Sequence, residues 1–118
     1  MDMPSERSAV AMTQNPRADE SGERPSARVE LRRDDIRALV QQYRATSPRI
    51  VGSIARGEDQ PGSDLDLLVE FTDEATLLDE VGLRLALSDL LRMDVDVVAV
   101  DTLHGELLER VLREAVPV

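Results

Sequence analysis

The sequence predicts an α/β (α+β) fold: a short mixed β-sheet with acidic strands, flanked by helices. Three observations predict it. Apolar residues recur at helical spacing in three stretches, two runs between them alternate aspartate with aliphatic residues, and Gly, Pro and Ser cluster at the joints. With 118 residues and 42% hydrophobic content the chain has room for one domain with a modest core. We assign that domain to residues 29–118 and read residues 1–28, where Pro4, Pro16 and Pro25 stand among Ser, Glu, Arg and Gly without apolar period, as a disordered N-terminal tail.

Taken in order, Ile36, Leu39, Val40 and Tyr43 fall at i, i+3, i+4 and i+7 and predict a first helix, ended before Pro48. Ile50-Val51 is a short strand step leading into Gly52-Ser53, after which a short helix is expected. Residues 58–63 have loop composition. The octet 64–71, Asp-Leu-Asp-Leu-Leu-Val-Glu-Phe, reads as a strand. Leu77, Leu78, Val81, Leu85 and Leu90 mark a helix closed at Arg92-Met93. Residues 94–100, rich in valine, read as a third strand. Asp101 or Thr102 can cap a last helix carrying Leu103, Leu107, Leu108, Val111 and Leu112 and stopped by Pro117.

Composition excludes several chemistries. There is no cysteine, so no disulfide, thiolate metal site or cysteine nucleophile. All 14 basic residues are arginine, which removes the Walker-type P-loop and lysine catalysis together. A net charge of -10 repels a phosphate backbone, so stable nucleic-acid binding is disfavoured and a basic protein partner or metal ions suit the chain better. No apolar run approaches the roughly 20 residues that span a bilayer, and no secretory stretch opens the chain; a cytoplasmic protein without membrane association is expected.

In a strand, Asp64 and Asp66 project from one face, roughly 7 Å apart, while Leu65, Leu67 and Val69 fill the core on the other. Two such carboxylates repel each other unless a cation intervenes, and hard oxygen donors suit Mg²⁺ or Mn²⁺. The third acidic strand adds Asp94 and Asp96, again on one face. Three carboxylates can hold two metals about 3.5–4 Å apart for phosphoryl displacement. Gly52 lets backbone approach a ligand closely, Ser53 offers a hydroxyl beside free N–H groups, and Arg56 lies near enough to fork onto phosphate oxygens. Each feature alone has an ordinary reading, as a helix cap, a solvated strand edge or a surface charge. Their combination carries the argument.

Gly52-Ser53, ten residues, then Asp64-Leu65-Asp66 resembles the Gly-Ser-x10-Asp-x-Asp signature of the DNA polymerase β-like nucleotidyltransferase superfamily. The run GSIARGEDQPGSDLDLLVEF, residues 52–71, and VDVV, residues 95–98, are similar to the minimal nucleotidyltransferases, the MntA-type antitoxins of HEPN/MNT toxin–antitoxin systems. The resemblance covers roughly residues 34–116 and implies the nucleotidyltransferase fold. It implies that Asp64, Asp66 and a third acid hold two divalent metals, that Gly52 and Ser53 hold the donor phosphates of ATP, and that the third acid helps activate the acceptor hydroxyl. Asp96, inside the VDVV string, is preferred for that role, with Asp94 the alternative registration.

Larger relatives add a domain for the acceptor, and this chain stops just after the core. The expectation is therefore Mg²⁺-dependent transfer of AMP from ATP to a tyrosine of a HEPN-domain toxin encoded nearby. The alternatives are an antitoxin that neutralises that partner by binding alone and a small-molecule adenylyltransferase, for which a homo-oligomer could build the pocket. The chain is not itself read as the toxin. The HEPN motif needs Arg separated from His by four to six residues, and Val97, Val98 and Ala99 stand there before His104, which is expected in the first turn of the last helix. Leu103, Leu107 and Leu108 are candidates for an apolar partner face, against the simpler expectation that they pack on the sheet.

Overall fold

A computed structural model describes residues 24–118. Two short helices, α1 (Pro25–Leu31) and α2 (Arg33–Gln42), precede strand β1 (Ala45–Val51). Strand β2 (Leu65–Phe71), helix α3 (Leu77–Leu91) and strand β3 (Val95–Ala99) follow, then a 3-10 turn at Val100–Thr102, helix α4 (Gly105–Glu114) and strand β4 (Val116–Pro117). The sheet runs in the order β3-β2-β1-β4. It is mixed: β2 and β3 are parallel, whereas β1 is antiparallel to both β2 and β4.

Alternation along β2 decides the layers. Leu65, Leu67 and Val69 are fully buried and meet Ile36 and Val40 from α2 and Leu83, Leu87 and Leu91 from α3 in one core. Each such side chain contributes about 1.5–3 kcal/mol relative to exposure, which fixes which face of β2 turns inward. The intervening Asp66 is thereby forced to the other face.

Helix α3 is well started and well stopped. Thr76 and Asp79 form a capping box, in which Thr76 accepts from the Asp79 N–H at 3.4 Å and the Asp79 carboxylate accepts from the Thr76 N–H at 2.9 Å. Arg92, with φ 57°, ends the helix in the left-handed region. Gly82 sits mid-helix because the Tyr43 ring lies against it: a Cβ there would stand 2.5 Å from the ring.

Four sequence expectations are corrected. The folded body begins before residue 29, because α1 occupies Pro25–Leu31 and buries Pro25 and Val29; the rest of the expected tail, residues 1–23, lies outside the described residues. Strand β1 begins at Ala45 rather than at the expected Ile50-Val51 step, so Pro48, which does follow the helix, lies within β1 at a bulge between Thr46 and Arg49 where Ser47 takes φ 54°. Pro117 does not simply stop a helix; it pairs with Arg49 in β4, and the Val118 N–H donates to the Pro48 carbonyl at 3.0 Å. Finally, α4 starts at Gly105 with His104 at the N-cap position, without a side-chain cap from Asp101 or Thr102. Helix α4 buries no residue fully, and Leu107 is 47% exposed.

Candidate active site

Strand register brings the distant parts of the signature together. Val51 pairs with Asp66, so the chain leaves β1 beside the start of β2. Gly52 then turns away with φ +80°, and a Cβ on it would stand 2.8 Å from Asp66 Oδ2. Both the backbone angle and the close approach require glycine here. On the other side, Asp66 is the in-register partner of Asp96 in parallel pairing, which puts both on one face of strands about 4.8 Å apart. Asp64 and Asp94 lie just ahead of their strands rather than in them, and the Leu65 N–H donates to the Asp94 carbonyl at 3.0 Å.

The electrostatics follow from this crowding. Asp66 is partly buried, and its carboxyl is pushed above its ordinary value first by that burial and then by the negative charges of Asp96 and Asp64. Asp96 acts on Asp66 more strongly than Asp64 does, as the paired register requires.

The segment after Gly52 is corrected from a helix to a wrapped turn. Its bonds run from the Arg56 N–H to Gly52 O (3.2 Å), Gly57 to Ile54 O (3.1 Å) and Glu58 to Ser53 O (2.9 Å), spans of four, three and five residues that cannot propagate as a helix. Ile54 anchors the turn by entering the core. Among the described residues the N–H groups of Ser53, Ile54 and Ala55 donate to no protein acceptor. Such successive free amides favour an anion without a helix dipole behind them. Arg56 is exposed and turned to Glu58 at 2.9 Å and Glu114 at 3.9 Å rather than to the aspartates.

A groove of about 190 Å³ opens on the β3 side of the acids, lined by Asp64, Asp94, Val95, Asp96 and two residues of α3, Arg84 and Ser88. Sequence reasoning missed these two. They lie one helical turn apart, so a shared side was legible, but which strand edge that side meets depends on tertiary placement. The Ser88 hydroxyl accepts from the Val95 N–H at 3.2 Å. With side chains as they stand, no three acidic or histidine groups among the described residues converge closely enough to enclose a cation. The donor set nonetheless fits a hard divalent ion: carboxylates side by side on one face, with one raised by burial and by its neighbours' negative charge.

A mixed sheet with aspartates on adjacent strands beside a glycine turn is the arrangement that the sequence resemblance implies. The chain belongs to the nucleotidyltransferase domain family, which it matches over residues 33–118. It is 45% identical over 69 residues to a Methanocaldococcus jannaschii protein named as a protein adenylyltransferase, covering 58% of this chain and 74% of that one. It is 39% identical over 67 residues to the protein adenylyltransferase MntA of Thermococcus cleftensis, covering 57% and 68%. Among solved structures, one described as a minimal nucleotidyltransferase superposes with TM-score 0.73 at 44% identity, covering 79% of this chain and 95% of that chain. Two toxin–antitoxin structures share the fold at lower identity. One, with AMP-PNP, gives TM-score 0.61 at 22% over 71% of this chain and 69% of that one; the other, MntA–HepT, gives 0.57 at 20% over 75% and 69%. No helix among the described residues is long and apolar enough to cross a membrane.

Proposed function

We propose that this chain is an antitoxin nucleotidyltransferase that moves AMP from ATP to a tyrosine hydroxyl of a partner HEPN ribonuclease toxin. The observation that carries the reading is the close approach of Gly52 to the Asp66 carboxylate, with Asp96 in register beside it. That approach sets a phosphate-binding turn directly against a cluster of acids. The names of the relatives as protein adenylyltransferases support a protein acceptor, and the MntA–HepT neighbour supports a HEPN partner. The AMP-PNP complex supports an adenine nucleotide.

In this reading the turn amides after Gly52 and the Ser53 hydroxyl hold the donor phosphates. Arg56 exchanges Glu58 for a phosphate oxygen. Asp64, Asp66 and Asp96 would hold two Mg²⁺, which when bound stabilise charge on the attacking and leaving oxygens. The acceptor oxygen bonds to the α-phosphorus, the bond from that phosphorus to the bridging oxygen of the β-phosphate breaks, and pyrophosphate leaves. Asp96, on the open groove side of Asp66, takes the hydroxyl proton. Asp94 is the alternative for that role, and comparing Asp96→Asn with Asp94→Asn decides between them: loss of transfer only in the latter reverses the assignment.

The test is incubation with α-phosphate-labelled ATP, Mg²⁺ and the product of a neighbouring HEPN gene. Label on that partner supports the reading. The second reading is neutralisation of the partner by binding alone. It predicts that an Asp64→Asn, Asp66→Asn variant still silences the toxin while no label is transferred by either form.

A further inference from the structure

Asp59 is the one buried charged residue among those described, 1% exposed, and it lies in the loop that joins Ser53 to Asp64. A carboxylate taken out of water needs partners, and all of its side-chain partners here come from the start of α1. Its Oδ1 accepts from Arg24 Nη2 at 3.2 Å and its Oδ2 from the Ser26 N–H at 2.9 Å. The same arginine also donates to the backbone carbonyls of Asp59 and Gly57, each at 3.1 Å. One guanidinium thus grips the loop at two residues. Arg24 and Ser26 precede the stretch matched by the nucleotidyltransferase family, which begins at residue 33.

We propose that Asp59 is a positioning residue for the phosphate-binding turn: through Arg24 and Ser26, the N-terminal helix holds the loop from Gly57 onward so that Gly52 and Ser53 stay against Asp66. Gly57 is the hinge between the gripped loop and the turn, since its N–H closes the turn on Ile54 while its carbonyl is held by Arg24. Loosening the grip lets the turn drift from the aspartates, and the donor phosphates lose preorganised amides. The inference rests on the nucleotide-site reading above. It adds to that reading a dependence of nucleotide affinity on a segment outside the family core.

The experiment uses the full chain, with Mg²⁺ and AMP-PNP as probe, and compares Arg24→Gln, Arg24→Lys and Asp59→Asn with the parent by calorimetry and amide hydrogen exchange. Arg24→Gln should weaken AMP-PNP binding about tenfold, the loss of one or two charge-assisted bonds. It should speed exchange across residues 52–63 while β2 and α3 keep their protection. Arg24→Lys should recover part of the affinity, because the charge remains and the fork does not. Should Asp59→Asn fail to fold, Arg24→Gln decides alone, since that side chain is half exposed. Parent-like affinity in Arg24→Gln, or faster exchange spread evenly over the sheet, overturns the inference and leaves the nucleotide site standing. A parent chain that does not bind AMP-PNP overturns the donor-site reading and this inference with it.

Discussion

Asp59 and Asp66 lie on the same short stretch of chain and are treated in opposite ways by the fold. Burial alone would raise the Asp59 carboxyl, but hydrogen bonds from Ser26 and the Arg24 charge hold it below its ordinary value. Asp66 is less buried, yet it is raised, because what surrounds it is burial and two further carboxylates. Asp59 is a finished structural contact. Asp66 is raised by burial and by like charges, which in the proposed function a bound cation would offset. The difference teaches that degree of burial does not sort structural from functional acids; the sign of the neighbours does.

Substitution at Asp66 should break that comparison most severely. Asp64→Asn with Asp66→Asn removes the proposed metal donors and should lower adenylyl transfer by about 100-fold or more. Its denaturation midpoint in metal-free buffer should stay level or rise. A fall in stability matching the loss of transfer would make Asp66 a structural acid like Asp59. Gly52→Ala comes next: the new methyl meets Asp66 Oδ2, and φ +80° is strained for alanine. A stability loss of about 1–3 kcal/mol is expected by urea titration, with weakened AMP-PNP binding.

Asp59→Asn should cost about 1–3 kcal/mol, the penalty of a buried group left short of its partner, and leave metal affinity at the aspartates intact. The smallest effect is on pH dependence. Asp59, lowered in the fold, contributes stability that is present above the unfolded carboxyl range and lost as pH falls through the folded value. Asp66, raised in the fold, does the reverse: the unfolded chain gives up its proton first, so the fold loses stability as pH rises through that range. Denaturation of metal-free protein between roughly pH 3 and 6 should show the acid-side loss flattened in Asp59→Asn. In Asp66→Asn the decline with rising pH should be flattened instead.

Asp66 and Asp96 were legible because a strand's period of two is written in Asp66-Leu67 and Val95-Asp96-Val97, whereas Asp64 and Asp94, read as strand residues too, lie just ahead of their strands. That Asp66 faces Asp96 rather than Asp94 is a matter of register, which no single strand records. Strand β4 was invisible for a related reason: two residues ending in proline have no pattern of their own and are a strand only through β1. The first turn of α1, residues 25–28, was assigned to the tail because proline and polar composition argue for disorder, whereas that turn is held by Asp59 and Arg24, a contact 35 positions apart in sequence. Gly52 marked a close backbone approach, which the structure shows toward Asp66, and what was misjudged was the element behind it. A single wrapped turn anchored by Ile54 stands in place of the expected helix.

The central claim is that Asp64, Asp66 and Asp96 form one cation site against the Gly52–Ser53 turn. The most direct measurement is titration of Mn²⁺ into isotopically labelled full-length protein while following amide resonances. Paramagnetic broadening should be centred on residues 64–66 and 96, reach Gly52 and Ser53, and spare Asp59. Broadening centred on other acids, such as Asp79 and Glu80 at the start of α3, or an absence of broadening at millimolar Mn²⁺, would contradict it.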